Sequence, residues 1–219
     1  MFTVDETRIS YTDVSGLPPD YTDTMDKQYD WMSRLYGLFM TVVPAWKRWL
    51  KAVIPLIQGE KILEVSFGNG YLMKQYGSQD NYDITGLEYN QNMIDVTRRR
   101  LDSSGIRAEL VRGNVEQLPF EDDSFDTVIN TMALSGYPDG DKAMSEMMRV
   151  VAPGGVLLIV DFDYPADRNL FGYWLVKIME NAGDVMKDIA GLLSSHGIDY
   201  DHTAIGGFGS VHMYVCRKR

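Results

Sequence analysis

From Pro55 onward, short apolar runs alternate with stretches of helical periodicity, and this alternation limits the chain to very few folds. The runs are Ile62-Leu63-Glu64-Val65, Asp83-Ile84-Thr85-Gly86-Leu87, Ala108-Glu109-Leu110-Val111, Phe125-Asp126-Thr127-Val128-Ile129 and Val156-Leu157-Leu158-Ile159-Val160. Helix candidates lie at about 71–77, 91–103, 141–151 and 184–196. Asn90 can cap the second, because its side-chain oxygen can accept an orphan backbone N–H. Strand–helix alternation needs right-handed crossovers and produces a parallel sheet covered on both faces. The end of the chain breaks the rhythm. Residues 199–205 and 211–216 are two strands joined through Gly206-Gly207, a hairpin that adds an antiparallel strand near the sheet edge. The expected fold class is α/β, with a mostly parallel seven-stranded sheet.

Before Pro55 the pattern differs. Met1 to about Thr24 is a polar arm carrying Gly16-Leu17-Pro18-Pro19. From Met25 to Ala52, Trp31, Leu35, Leu38, Val42, Trp46 and Trp49 recur at helical steps, and Pro44 divides two helices. The chain therefore divides into an N-terminal arm and helical segment, residues 1–55, and a main domain, residues 56–219. The linker 165–183 holds Phe171, Tyr173, Trp174, Leu175 and Met179 and should add a capping helix over the sheet's upper edge.

Composition excludes several functions. With 21 basic against 31 acidic side chains the formal charge is −10, which argues against nucleic-acid binding, a process driven by a basic field. The single cysteine, Cys216, rules out an internal disulfide, and no Cys/His spacing suits a metal site. No basic-then-apolar signal segment and no transmembrane run of about 20 apolar residues is found, so a reduced, cytoplasmic setting is expected.

The chemistry concentrates after the first strand, in Glu64-Val65-Ser66-Phe67-Gly68-Asn69-Gly70. In an open α/β sheet, ligands bind beyond the carboxyl ends of the strands at the switch point. Glycines there allow close backbone approach, and a helix N-terminus offers free N–H groups to an anion. Glu88 ends the second strand, where a carboxylate can accept both hydroxyl protons of a ribose. The plain alternative is a tight turn beside a solvated strand end. A dinucleotide site calls for a third glycine three residues after the second, and Met73 holds that place. A ligand with ribose, adenine and a small carboxylate fits better.

Further motifs follow in order: Arg112-Gly113-Asn114-Val115-Glu116-Gln117-Leu118-Pro119-Phe120, then Asp123-Ser124-Phe125-Asp126-Thr127-Val128, then Met148-Arg149-Val150-Val151-Ala152-Pro153-Gly154-Gly155. With the glycine turn and Glu88, these resemble the class I S-adenosylmethionine-dependent methyltransferases, in the branch of the ubiquinone/menaquinone-type and small-molecule methyltransferases. The resemblance covers about residues 60–160 and, more loosely, the final hairpin; Gln28-Tyr29-Asp30 is similar to that branch's N-terminal lid.

The resemblance implies a Rossmann-like fold with a helical N-terminal lid, S-adenosylmethionine as cofactor, and roles by position. Glu64, Ser66, Gly68 and Gly70 would surround the methionine half, and Glu88 would hold the ribose. Tyr89 and Met93 would pack near the adenine, whose edge would meet Asn114 and Val115. Asn130 and Thr131 would sit beside the sulfonium, and Tyr29 would close over the cofactor. Three residues depart from the family pattern. Ser66 replaces the usual first glycine, which is tolerable if its φ stays negative. Phe67 is bulkier than the usual residue. Asn114 replaces Asp yet keeps a carbonyl oxygen to accept from an adenine amino group.

The acceptor is expected to be small or amphipathic, even lipid-like, with peripheral membrane contact. It would enter over the strand ends, facing Tyr36, Tyr137, Asp161, Tyr164 and Trp174. Asp161 is the first candidate to orient or deprotonate it; the plain alternative is a loop carboxylate in water. His212 reads as structural, His196 and His202 as surface or turn residues, Arg98-Arg99-Arg100 as a solvated helix face, and Met144, Met147 and Met148 as core. Two other functions compete: a cofactor-binding sensor or assembly partner without catalysis, and a nicotinamide-dependent oxidoreductase.

Overall fold

The computed structural model describes Val4 and residues 44–78, 82–181 and 184–219. Seven strands form one sheet: β1 (Lys61–Val65), β2 (Asp83–Glu88), β3 (Glu109–Arg112), β4 (Phe125–Thr131), β5 (Val151–Phe162), β6 (Asp199–Gly206) and β7 (Val211–Arg217). Their order is β3-β2-β1-β4-β5-β7-β6. The first five pair in parallel, and β7 runs antiparallel to both β5 and β6. This is the expected α/β, Rossmann-like architecture. The topological switch falls between β1 and β4, where Val65 pairs with Asn130.

Alternation along the strands sorts the apolar residues into two layers. Ile62, Ile84, Ile129, Leu158 and Val160 belong to one core, with Trp46 and Trp49 of α1 (Pro44–Lys51), Leu72, Met73 and Tyr76 of α2 (Tyr71–Tyr76), Ile94 and Leu101 of α3 (Gln91–Asp102), and Val176 of α5 (Leu170–Asn181). Leu63, Val65, Leu87, Val128, Leu157 and Ile159 belong to the other. There they meet Ala143, Met144 and Met147 of α4 (Gly140–Val150) and Ile189 and Leu193 of α6 (Ile189–Ser195). Met144 and Met147 are core residues, as their spacing suggested, whereas Met148 is half-buried at the core's edge.

Capping explains several boundaries. Asn90 accepts from Met93 N, as expected, and Asp139 accepts from Lys142 N at the start of α4. The helix expected over 184–196 begins only at Ile189, where Asp188 accepts from Gly191 N. Strand β5 starts earlier than its apolar run, with a register shift opposite Phe125 and Thr127 that absorbs Pro153-Gly154-Gly155. Gly206 has extended backbone; it is glycine because the Trp49 indole lies on it, and an added Cβ would meet Trp49 Nε1 at 1.9 Å. Val4 N–H donates to Arg168 O, which places Val4 just before α5. Among the described residues, no helix is long and apolar enough to cross a membrane.

Candidate active site at the β1–β4 switch

Both strands at the switch leave the sheet through a left-handed residue that is not glycine: Ser66, with φ 52°, and Met132, with φ 54°. The negative φ on which a serine at 66 depended is thus not what the chain adopts. A side chain in this region carries strain of about 1–2 kcal/mol. Two hydrogen bonds hold Ser66 there. Its N–H donates to Leu87 O at 2.7 Å, and its Oγ lies 2.7 Å from the Tyr137 hydroxyl. That hydroxyl in turn accepts from Asn130 Nδ2 at 2.7 Å. Tyr137 therefore ties the end of β1 to the end of β4. Burial pushes its phenol well above the usual range, so it stays a neutral donor.

Phe67 does not fill the crevice. Its ring is buried in the core against Gly86 of β2, where an added Cβ would meet Phe67 Cδ1 at 2.6 Å and Met73 Cε at 2.8 Å. Beyond it, Gly68 and Gly70 are left-handed, with φ 54° and 67°. No described residue lies within 4 Å of a Cβ built on Gly68, whereas one on Gly70 would strike Thr97 Cγ2 at 2.5 Å. Gly68 thus borders open space, and Gly70 admits α3. Thr97 Oγ1 donates to Gly68 O, and Arg100 Nη1 donates to Asn69 Oδ1 at 2.8 Å. Arg98 and Arg99 are exposed as expected, but Arg100 is half-buried and braces the turn.

The buried Glu88 carboxylate accepts from Gly68 N at 2.9 Å and Asn90 N at 3.0 Å, joining the glycine turn to the end of β2. Met93 and Val115 are buried, and Tyr89 and Thr131 are half-buried. Asn114 Oδ1 accepts from Glu116 N at 2.9 Å, so the oxygen reserved for an adenine amino group already caps the turn at 115–117 and has one lone pair left.

Among the described residues, two buried acceptors near the switch have no hydrogen-bond partner: Glu64 Oε2 and Asn130 Oδ1. Burial pushes the Glu64 carboxyl up to about 8, against a smaller opposing pull from the nearby Tyr76 hydroxyl. Leaving such groups unpaired costs about 1–3 kcal/mol each, more when charged. A cationic, donor-rich ligand is what this arrangement lacks.

The substrate-side residues divide. Asp161 is fully buried, and four donors fill its carboxylate: Leu134 N (2.7 Å), Ser135 N (3.2 Å), Ser135 Oγ (3.3 Å) and Phe162 N (2.7 Å). It is neither a loop carboxylate in water nor free to take a substrate proton; it anchors the turn after β4. Tyr164 donates to Glu180 at 2.6 Å and accepts from Lys177 at 2.8 Å, which binds it to α5. Burial, then the Glu180 bond, push its phenol up to about 12. Trp174 is 58% exposed and lines nothing, because α5 turns Gly172 and Val176 inward instead. Tyr29 and Tyr36 lie outside the described residues.

Sequence reasoning missed Asp184 and Lys187, behind the same turn. Burial raises the Asp184 carboxyl to about 7, with Asp161 adding to the rise, and lowers the Lys187 ammonium to about 8. A lone Asp and Lys in Asp184-Val185-Met186-Lys187 carry no local signal; only the tertiary placement beside Ser135 and Asp161 does. His212 is buried as expected, with Nδ1 2.6 Å from Nε2 of the exposed His202, which lies on β6 rather than in a turn.

A parallel sheet whose switch point presents left-handed glycines, a buried carboxylate at the next strand end and unfilled acceptors is the arrangement of a nucleoside-binding, Rossmann-like transferase. Comparison with known proteins narrows this class. The model of the ubiE/COQ5 methyltransferase family matches residues 20–192, and the chain belongs to that family. It is thereby an S-adenosylmethionine-dependent methyltransferase. The ubiquinone/menaquinone biosynthesis C-methyltransferase UbiE of Idiomarina loihiensis is 27% identical over 186 residues, covering 82% of this chain and 73% of the relative. UbiE of Psychromonas ingrahamii is 33% identical over 142 residues, covering 63% and 56%, so the chain spans little more than half of that relative. Geranyl diphosphate methyltransferase in complex with S-adenosylmethionine shares the fold, with a TM-score of 0.66 at 13% identity over 80% of this chain and 85% of that one.

Proposed function

We propose that the chain methylates a carbon of a small quinone-type ring, an amphipathic acceptor of the kind named for its UbiE relatives, in the cytoplasm. The observation that carries the cofactor side is the pair of buried acceptors, Glu64 Oε2 and Asn130 Oδ1, that have no hydrogen-bond partner among the described residues, together with the room those residues leave over Gly68. These residues fit an α-ammonium and a sulfonium. Glu64, Ser66, Gly68 and Gly70 would hold the methionine half, and Glu88 the ribose. Tyr89, Met93, Asn114 and Val115 would border the adenine, and Asn130, Thr131 and Tyr137 the reacting end. The N-terminal residues, Tyr29 and Tyr36 among them, belong to the same reading as the lid.

When bound, the cofactor supplies a methyl already activated as an electrophile. The protein's part is alignment and exclusion of water, and alignment alone removes up to about 7–11 kcal/mol of barrier in favourable models. Methylating a ring carbon displaces a ring proton, which a base must accept. Asp161 has no lone pair to spare for it. Asp184, raised towards neutrality by burial and lying beside Ser135 behind that turn, is the better candidate.

Calorimetric titration with S-adenosylmethionine and its demethylated product should show binding of both, lost in Glu88→Ala, with no binding of NADH. Methyl label should then pass to a demethylated quinone analogue. Cofactor binding without label transfer would defeat the acceptor assignment. Absence of binding would defeat the site.

A further inference from the structure

Helix α5 carries apolar side chains on two faces. The inner one, Gly172 and Val176, packs on the body of the protein. The outer one, Phe171, Trp174 and Ile178, recurs at three- and four-residue steps and is 62%, 58% and 61% exposed. Phe208, at the tip of the β6–β7 turn, is 65% exposed, and its ring centroid lies 5.6 Å from that of Phe171. Phe208 also has φ 56°, a left-handed conformation costly for a bulky side chain, between two glycines that would adopt it freely. Neither the turn nor the core calls for an aromatic ring there. A contiguous apolar patch held outward at conformational cost marks an interaction surface.

Charge selects the partner. The chain as a whole carries −10, yet residues 44–59 contain Lys47, Arg48 and Lys51 and no acid. Arg48 and Lys51 are exposed on α1. Helices α1 and α5 cover the same face of the sheet. Both abut the β6–β7 end, Trp49 against Gly206 and Gly172 against the Phe208 carbonyl. Just before α5, the exposed Asp167 and Arg168 offset each other, so the basic groups of this side are those of α1. Apolar and cationic groups thus share one side of an otherwise acidic molecule.

We propose that the outer side of α5, the Phe208 tip and the basic helix α1 form a docking face for an anionic bilayer surface. Phe171, Trp174, Ile178 and Phe208 enter the boundary between headgroups and acyl chains, where aromatic side chains partition well. Arg48 and Lys51 face the lipid phosphates, and repulsion of the acidic remainder fixes the orientation. The docking stands apart from methyl transfer, and its test needs no turnover.

The full chain would be sedimented with phosphatidylcholine vesicles, with and without roughly a third phosphatidylglycerol, a content in the range where surface potential attracts basic segments. Binding should require the anionic lipid, weaken with salt and blue-shift tryptophan emission. Trp174→Ser with Phe208→Ser should lower partitioning by about tenfold or more, as loss of two buried anchors implies. Its circular dichroism and S-adenosylmethionine affinity should stay unchanged. Arg48→Ala with Lys51→Ala should abolish the preference for anionic vesicles. Three results would overturn the proposal: no partitioning of the unaltered chain, equal partitioning of the double serine variant, or a dimer in solution that the serine substitutions dissociate. Trp174 shielded from acrylamide in the free protein would overturn it too, by showing the face already covered by the chain itself.

Discussion

The strained serine at the β1 turn and the tyrosine that holds it should be energetically coupled, and a double-mutant cycle measures by how much. Ser66→Gly relieves about 1–2 kcal/mol of left-handed strain and loses the 2.7 Å bond to Tyr137, worth about 1 kcal/mol. It also loosens the unfolded chain by about 0.4–1 kcal/mol, so the single change should be close to neutral. Tyr137→Phe removes the same bond and also the acceptor of Asn130 Nδ2, a group of a fully buried residue, for a total of about 2–3 kcal/mol. In the double variant glycine relieves strain without breaking any bond, since the partner hydroxyl is already gone. Its cost should fall short of the sum by about 1 kcal/mol. Urea unfolding of all four proteins, followed by tryptophan fluorescence, reads this directly, and the shortfall is equivalent to roughly 2–4 °C in Tm. Additivity within about 0.3–0.5 kcal/mol would refute the coupling and, with it, the claim that Tyr137 braces Ser66.

Glu64 predicts an unusual pH dependence. Its folded pKa, about 8, lies above the ordinary 4.5, so the stability it contributes is full below about 4.5 and is lost as pH rises towards 8, by a few kcal/mol. Glu64→Gln should flatten that decline in thermal melts of the ligand-free protein, and an unchanged slope would contradict it. Asp184→Asn should lower kcat by about 10²–10⁴-fold and remove the acid limb near pH 7, because the carboxylate must be ionised to act. Its KM for the cofactor should not move. Gly206→Ala places a methyl group on the Trp49 indole and forces the ring from its seat, and chemical unfolding should show a loss of about 1–3 kcal/mol.

Much of this fold was legible because strands covered on both faces write their burial into short apolar runs. The five parallel strands could be read that way, while the exposed β6 was legible only through the glycine-linked hairpin it makes with β7. The glycine turn and Glu88 were legible as a spacing, and the structure joins them through the Gly68 N–H. Other features required tertiary partners. Asp161 looked available at a strand end, but it is saturated by amides from a turn that starts 27 residues earlier in the chain. Trp174 sits among apolar neighbours that could face either way, and the demand for Gly172 against the Phe208 carbonyl decided the rotation of α5. The segment before Ile189 has helical periodicity, yet Lys187 is drawn inside by Asp161 and Asp184, and the helix waits for Asp188 to cap it.

The aromatic ring at position 67 occupies a notch that exists only because position 86 lacks a side chain. Even a methyl group there, in the middle of the sheet, would evict the ring. A ring displaced from that notch into the proposed nucleoside cleft would lower ligand affinity from a residue that never meets the ligand, and a weak-binding variant would then need no change at the cleft itself.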